Sequence, residues 1–156
     1  IPNNSMTRVA GQVSEAEVAE LAAYYSKLPY RSLIRVREVA MAPKVRAVGL
    51  VWERVPGPAE PIAGRIVELM DNPEDSLRHN PRGRSTAFVP PGSIARGRRI
   101  AAELGCMACH TQLLGGWGPG RSPSYIVRQL LAFRNRARTD PAAETMQPIA
   151  DQLSLD

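Results

Sequence analysis

The spacing of apolar positions in this chain of 156 residues first follows a helix and then changes. Over residues 13–28 the apolar side chains recur at helical spacing. Ser14, followed by Glu17 three places later, is the signature of a capping box. Pro29 comes next and cannot continue a helix. The pattern therefore predicts an amphipathic helix over 13–28.

After the helix the pattern changes to β-branched residues that alternate with Arg and Glu. Such alternation is typical of strands, and it predicts one strand over 34–39 and a second over 45–53. The residues 41–44 between them predict a turn, so the two runs form either a small hairpin or a pair of edge strands. The stretch 71–91 is rich in Pro, Asn, Arg and Ser, which predicts an irregular connector.

The second half of the chain returns to helical spacing. Ser93 caps a predicted helix that begins at Ile94 and that Gly105 ends, and Ser122 opens another. A Gly-rich loop over 113–120 lies between the two helices, and glycine there lets the backbone approach a flat ligand closely. A shorter helical piece follows and leads to Met146. The pattern therefore predicts helices on both sides of one loop.

One segment between these helices points to a specific chemistry, namely Cys106-Met107-Ala108-Cys109-His110. Cys-x-x-Cys-His is the attachment signature of a c-type haem. Because the two thiols lie three residues apart, one turn of backbone presents both to the vinyl groups of a porphyrin, with which they form thioethers. His110 then meets the iron as proximal ligand and leaves the opposite face for a second ligand. The motif predicts one covalently bound haem c and a protein that carries an electron.

Three other interpretations of the cysteines are open. A thioredoxin-like dithiol needs a βα junction, which the pattern near Cys106 does not predict. A structural zinc site needs four ligands, and the only other histidine is His79, in a Pro- and Arg-rich stretch. A structural disulfide in an exported protein leaves the histidine after Cys109 unexplained. Haem attachment accounts for all three residues of the motif.

The second axial ligand is expected from a methionine. Met107 lies inside the motif and cannot reach the opposite face, and two others lie near the predicted strands, where methionine suits core packing. Met146 follows 36 residues after His110, which is enough chain to pass round the porphyrin edge. We expect His110 and Met146 as axial ligands. The alternatives are a packing role for Met146 and distal ligation by His79.

Composition limits the classes of partner. The chain is 44% hydrophobic and contains no apolar run that approaches a membrane span, so we expect no membrane-spanning segment. The net charge is +5, and among the 20 basic residues only Lys27 and Lys44 are lysines. No nucleic-acid motif accompanies this charge, so nucleic acid is not an expected partner. An acidic surface on a redox protein, or the haem propionates, would complement it better.

Arginines crowd the half that carries the motif. They could steer an acidic partner by long-range attraction, and the alternative is a solvated face. The residues are Arg96, Arg98, Arg99, Arg121, Arg128, Arg134, Arg136 and Arg138.

Several stretches after the motif carry a family likeness: Gly120-Arg121-Ser122-Pro123-Ser124-Tyr125, Arg128-Gln129-Leu130, Phe133-Arg134, Arg138 and Met146-Gln147-Pro148-Ile149-Ala150. With the Cys-x-x-Cys-His segment they resemble a class I cytochrome c domain of the bacterial diheme family. The resemblance implies a mainly α-helical, cytochrome c-like haem domain, here with a small β-containing linker. It also implies His110 and Met146 as the axial ligands.

The same resemblance assigns roles around the haem. It implies that Tyr125, Arg128 and Gln129 pack or hydrogen-bond near the haem, with Arg121 in the same cofactor-binding set. It also implies a proline in the loop after the motif that accepts the proton of the proximal imidazole. Pro119 is the candidate, although the loop before Arg121 is a few residues shorter than the family pattern.

A short internal repeat accompanies this resemblance. Residues 6–14 align with 146–154 at a constant offset of 140, with Met, Ala, Gln and Ser identical. In the family this string is the ligand methionine followed by the last helix of a haem domain. Either the chain is the middle of a longer diheme protein in which Met6 faces a second haem, or helix 13–28 docks as the missing last helix.

The resemblance therefore implies three segments. Residues 1–30 correspond to the end of a first cytochrome c domain, and 31–91 to a β-containing linker. Residues 92–156 correspond to the haem-binding domain without its last helix. The surface that this helix would cover predicts a partner, which is the chain's own helix, a second copy or a larger complex.

These features predict one-electron transfer between periplasmic redox proteins, from a quinol-side or dehydrogenase donor to an oxidase or similar acceptor. The compartment follows from the chemistry of haem attachment. One alternative is a haem enzyme or gas sensor with an open distal site, for which His79 is the spare imidazole. Another is a structural cytochrome subunit of a larger oxidoreductase, docked through the strands of residues 34–55.

Overall fold

The chain divides into two units, Ile1–Arg31 and Ser32–Asp156. The structure is a computed structural model, and it describes residues 8–28, 32–48, 51–78, 80–110 and 121–154. Among the helices in these ranges, none combines the length and the apolar character needed to cross a membrane.

The first unit contains helix α1, Glu15–Ser26, preceded by a short helical stretch at residues 8–10. The predicted capping box is confirmed, because Ser14 Oγ accepts from the Glu17 amide at 3.3 Å and Glu17 Oε2 accepts from the Ser14 amide at 2.8 Å. Hydrogen bonds from the Ser14 amide and hydroxyl lower the pKa of Glu17. The helix buries none of its residues, so capping and local hydrogen bonds define it.

The second unit begins with strands that form three small sheets. Their order is β1-β7-β6, β2-β5 and β3-β4. The strands are β1 (Ile34–Glu38), β2 (Met41–Ala42), β3 (Val45–Val48), β4 (Val51–Arg54), β5 (Glu60–Pro61), β6 (Val67–Met70) and β7 (Ser85–Val89).

Strand β7 is the centre of the largest sheet. It pairs in parallel with β1, where Arg37 lies opposite Phe88, and antiparallel with β6, where Val67 lies opposite Phe88. A strand with a neighbour on each side is shielded, and residues 86–89 are all buried. The prediction of an irregular connector over 71–91 is therefore wrong. The segment contains a short helix α2 (Pro73–Leu77) and strand β7, which its Pro- and Arg-rich composition did not predict.

The predicted hairpin is also paired differently. Residues 34–38 do form a strand, but its partner is β7, and the run 45–53 folds on itself as the antiparallel pair β3-β4. Alternation of apolar and polar residues predicts a strand but does not predict which strand lies beside it. The β1-β7 pairing joins residues about fifty positions apart. Residues 49–50, between β3 and β4 in the chain, lie outside the described ranges.

The core of the second unit lies against these sheets. It consists of five buried side chains, with Val39 and Val45 packed against them. The buried members are Ala42, Ile62, Val67, Leu69 and Phe88. Residues from four strands and two loops meet there, so the small sheets stabilise one another.

The helices of the second unit follow the sheets. They are α3 (Ser93–Glu103), α4 (Cys106–Cys109), α5 (Pro123–Arg134), a 3₁₀ turn (Pro141–Ala143) and α6 (Gln147–Asp151). Gly105 has φ 66°, the left-handed conformation that favours glycine, and separates α3 from α4 as predicted. Ser122 Oγ accepts from the Tyr125 amide at 3.1 Å, which confirms the predicted cap of α5. The predicted cap at Ser93 is wrong, because Ser93 is the first helical residue and Gly92 occupies the cap position.

The expectation of a mainly α-helical, cytochrome c-like fold is wrong. The described residues are 42% helix and 19% strand and form three small sheets, so the fold class is mixed α and β. The family resemblance rested on residues after the haem motif, which are helical. The strands before the motif depend on long-range pairings that no local pattern in the second half could reveal.

Two glutamates connect the sheets to the helices. Glu38 Oε1 accepts from the Ile94 amide in the first turn of α3 at 2.7 Å. Glu68 accepts from Ser122 Oγ at 2.6 Å and from the Ser124 amide at 3.0 Å, at the start of α5. The first amides of a helix lack partners within it, so each carboxylate satisfies one and complements the positive end of the helix.

Candidate functional site

Helix α4 is a single turn that carries the haem motif. It begins after Gly105 and ends at His110, whose backbone is extended at φ −100° and ψ 97°. The His110 amide donates to the carbonyl of Cys106 at 2.9 Å and closes the turn. In this geometry Cys106 and Cys109 lie three residues apart on one helical face. The local fold therefore presents both sulfurs in the same direction.

Both cysteines are free thiols in the structure, with Cys106 half-buried and Cys109 exposed. Across the described part of the chain, no three His, Cys, Asp or Glu side chains are grouped to hold a metal ion. Attachment to a porphyrin does not need such a group, because each sulfur bonds to carbon. The arrangement of the two thiols fits covalent haem attachment.

His110 is half-buried at the end of α4. Three predicted neighbours or alternatives fall outside the described ranges: Pro119, expected to accept the imidazole proton; His79, the alternative distal ligand; and Met6, the methionine of the repeat. The structure therefore describes His110, the expected proximal ligand, but not those three positions.

Met146 is half-buried and precedes α6. Its side chain packs against a small cluster formed by Phe133 of α5 with Ala143 and Ala150. Its amide donates to the Ala143 carbonyl at 3.0 Å. The main packing partner of α4 is α3, whereas that of α6 is α5. The Met146 segment is thus held by α5, and the loop 111–120 that follows the motif lies outside the described residues.

The other predicted site residues lie on or just before α5. Tyr125 and Gln129 are half-buried, whereas Arg121 and Arg128 are exposed. Gln129 Oε1 accepts from Arg138 Nη1 at 3.5 Å. Helix α5 therefore supplies both a half-buried face and a charged surface.

Arg138 contacts several residues of this region, and the sequence pattern did not predict these contacts. Its guanidinium carbon lies 4.6 Å from the centroid of the Phe133 ring. Its carbonyl accepts from Gln147 Nε2 at 3.2 Å, next to Met146. Arg138 thereby links the end of α5 to the Met146 segment. The family likeness included this arginine but implied no role for it.

A second set of contacts joins α5 to α6. Arg136 donates to both carboxylate oxygens of Asp151, at 3.0 and 2.7 Å. This hydrogen bonding lowers the pKa of Asp151 and raises that of Arg136. Arg134 Nη1 also donates to the Leu153 carbonyl at 3.0 Å. These contacts hold the segment after Met146 against α5.

Some arginines of this half form side-chain hydrogen bonds or ion pairs with described residues, and others form none. Arg96 and Arg99 are engaged near their own helix, by hydrogen bonds and by an ion pair respectively. Arg98, Arg121 and Arg128 are exposed and form no side-chain hydrogen bond or ion pair with another described residue. These three leave positive charge available to a partner.

Apolar side chains on the helices around the motif are exposed. Neither α3 nor α4 has a buried residue. The exposed apolar residues of α3, α4 and α5 are Ile94, Ile100, Met107, Ile126 and Val127. Such a surface suits an apolar ligand, because covering it removes hydrocarbon from water.

Comparison with known proteins gives no family assignment. No family model matches the chain, and no curated protein or solved structure is significantly similar to it. The functional argument therefore rests on the motif and on the residues that surround it.

Proposed function

We propose that this chain carries single electrons through a covalently attached haem c, as its resemblance to bacterial diheme cytochromes c implies. The observation that carries the proposal is the Cys-x-x-Cys-His motif on one helical turn with both thiols free. The exposed apolar side chains of the surrounding helices support it, because a porphyrin would cover part of that surface.

The residues have distinct roles in this proposal. Cys106 and Cys109 hold the porphyrin by thioether bonds, and His110 and Met146 are the axial ligands. The bound haem supplies an iron that alternates between the ferrous and ferric states. The thioether sulfur of Met146 raises the reduction potential relative to a second imidazole.

The surrounding contacts position the second ligand. Arg138 and Gln147 link the Met146 segment to α5, and Glu68 links the start of α5 to the sheet. Tyr125 and Gln129, both half-buried on α5, belong to the haem-binding set together with the exposed Arg121 and Arg128. In this arrangement α5 connects the sheet to the segment of the ligand methionine and so restricts the movement of that residue.

The proposed partners are redox proteins with acidic docking surfaces in the periplasm. The unpaired Arg98, Arg121 and Arg128 would attract such partners before contact. Attraction of this kind is screened by salt, so electron transfer should slow as ionic strength rises.

Optical spectroscopy tests the ligand set. The chain is produced in the periplasm of a bacterium that matures c-type cytochromes, and spectra are recorded oxidised and dithionite-reduced. Met146→Leu keeps a similar volume against Phe133 but removes the sulfur. We expect a c-type reduced spectrum in both proteins and loss of the weak far-red band of sulfur-ligated ferric haem in Met146→Leu alone. Met70→Leu is the matched control, because Met70 belongs to strand β6.

Other results would reject parts of the proposal. Absence of covalently bound haem on a denaturing gel would reject haem attachment altogether. Bound haem without the far-red band, together with a shift of the reduced spectrum on adding CO, would reject Met146 ligation and favour an open site. Retention of the band in Met146→Leu would show that another methionine is the ligand.

A further inference from the structure

A pocket of about 320 Å³ lies among the strands of the second unit. Its lining comes from β1, β2, β4, β7 and the loops beside them, and none of it belongs to the haem motif or to helices α3–α6. The proposed electron transfer therefore makes no use of this pocket. Its size is in the range of small-molecule sites.

Strand pairing brings three cationic side chains to this pocket. Arg37 lies on β1 opposite Phe88 of β7. Arg54 ends β4 opposite Val45, and the next residue, Val55, donates its amide to the carbonyl of Lys44 at 2.9 Å. Arg37, Lys44 and Arg54 therefore converge although they are separated in sequence.

These three cations have no partner among the described residues, unlike two neighbouring arginines on β1 and β3. Arg35 pairs with Asp71 at 3.3 Å, and Arg46 pairs with Glu53 at 3.3 Å. By contrast, the side chains of Arg37, Lys44 and Arg54 make no hydrogen bond or ion pair with another described residue. Among the described residues that line the pocket, none is acidic. Like charges around one concave site repel one another, and an anion would relieve that repulsion.

The floor of the pocket is apolar. Phe88 is 9% exposed, and Val39, Pro43 and Val55 are half-buried. A hydrated inorganic ion gains nothing from such a floor, whereas a hydrocarbon body does. A concave site of this size with an apolar floor and a few polar groups is typical of small ligands.

We infer that this pocket binds a small organic anion, with its phosphate or carboxylate at Arg37, Lys44 and Arg54 and its apolar body on Phe88 and Val55. Arginine and lysine are suited to both anionic groups. The site is independent of the haem motif, so its test does not depend on the electron-transfer proposal.

Calorimetric titration of the whole chain with phenyl phosphate tests the inference. Benzyl alcohol matches the aromatic body without the charge, and inorganic phosphate matches the charge without the body. We expect saturable binding of one phenyl phosphate per chain, about tenfold or more tighter than either comparison compound, because both charge and apolar contact contribute.

Variants locate the site. Lys44→Gln and Arg54→Gln should each weaken phenyl phosphate binding about tenfold, the scale of one charge-assisted contact. Arg46→Gln removes the same charge from the same hairpin but outside the pocket, so it should leave the affinity unchanged. Thermal unfolding of each variant verifies that the hairpin remains folded.

Four results would overturn the inference. They are no saturable binding, equal affinity for benzyl alcohol, equal affinity for inorganic phosphate, and equal loss in Arg46→Gln. Tighter binding of a polyglutamate peptide than of phenyl phosphate would instead assign the cations to a protein-docking surface and reject the small-ligand site.

Discussion

The sheet region, residues 32–89, and the motif region, residues 93–154, bury their apolar side chains to different extents. In the sheet region Ala42, Ile62, Val67, Leu69 and Phe88 are at most 9% exposed and contact one another. In the motif region α3 and α4 bury no residue, and the buried cluster comprises Phe133, Ala143 and Ala150. The sheet region gathers five buried side chains into one cluster, whereas the buried cluster of the motif region has three residues and includes none from α3 or α4.

Under the proposed function, this difference would separate a scaffold from a haem-binding region. Strand β7 is shielded by neighbours on both sides, so its side chains are covered by the chain itself. The helices around Cys106 keep hydrocarbon in contact with water, and a bound apolar ring would remove it. Glu38 and Glu68 then connect the two regions through hydrogen bonds to the first turns of α3 and α5.

The largest loss of stability should come from a substitution in the core of the sheet region. Leu69→Ala should lower the free energy of unfolding of the second unit by about 2–5 kcal/mol, because it leaves a cavity at a side chain that is 7% exposed. Leu77→Ala is the matched control at 80% exposure, and its effect should stay within about 0.5 kcal/mol. Urea denaturation measures both. Equal losses would contradict the assignment of the core.

A smaller effect should follow from loosening the connection between the regions. Glu68→Gln removes the charge that accepts from Ser122 and Ser124, and it should destabilise the start of α5 by about 1–2 kcal/mol. Hydrogen exchange should speed up at the Ser124 amide while the amides of β7 stay protected. Glu74→Gln, an exposed residue paired with Arg78, is the control. Equal opening of β7 would show that the two regions unfold as one.

In the motif region, shortening an exposed apolar side chain should lower the free energy of unfolding only slightly when no haem is bound. Ile100→Ala should lower the stability of the apoprotein by about 1 kcal/mol or less, because Ile100 is already 38% exposed. If a porphyrin covers this surface, the same change should lower the thermal unfolding midpoint of the haem-loaded protein by more. A loss in the apoprotein as large as that of Leu69→Ala would remove the contrast between the regions.

The smallest effect concerns pH. Because Arg136 lowers the pKa of Asp151, their pair stabilises the fold above the ordinary carboxyl value of 3.8, and this stability is lost as pH falls through the lowered pKa. Arg136→Gln should therefore reduce the thermal midpoint at neutral pH slightly and have less effect in acid. Asp151→Asn should produce the same change, and the double variant should add nothing further. Additive losses would show that the two residues act separately.

Several local features were predictable because neighbouring residues decide them. The capping box of Ser14 and Glu17, the Ser122 cap and the left-handed Gly105 each depend on a few adjacent positions. The same holds for the motif, since one helical turn presents Cys106 and Cys109 whatever the rest of the chain does. The roles given to Tyr125, Arg128 and Gln129 stay predictions.

Local patterns failed wherever distant residues had to meet. They did not predict that β1 pairs with β7, that Glu68 caps α5, or that Arg138 links Phe133 to the Met146 segment. The mainly α class came from the family resemblance, and it was wrong because the three sheets depend on pairings between distant residues.

The sequence by itself determined the caps of α1 and α5, the end of α3 at Gly105 and the five residues of the Cys-x-x-Cys-His motif, because such features depend on backbone geometry within a turn or two. Only the tertiary structure decided the mixed class, the partner of each strand and the gathering of Arg37, Lys44 and Arg54 around one pocket. The physical reason is that strand pairing and side-chain convergence are set by contacts between residues far apart in the chain. The alternation of apolar and polar positions is compatible with several such pairings.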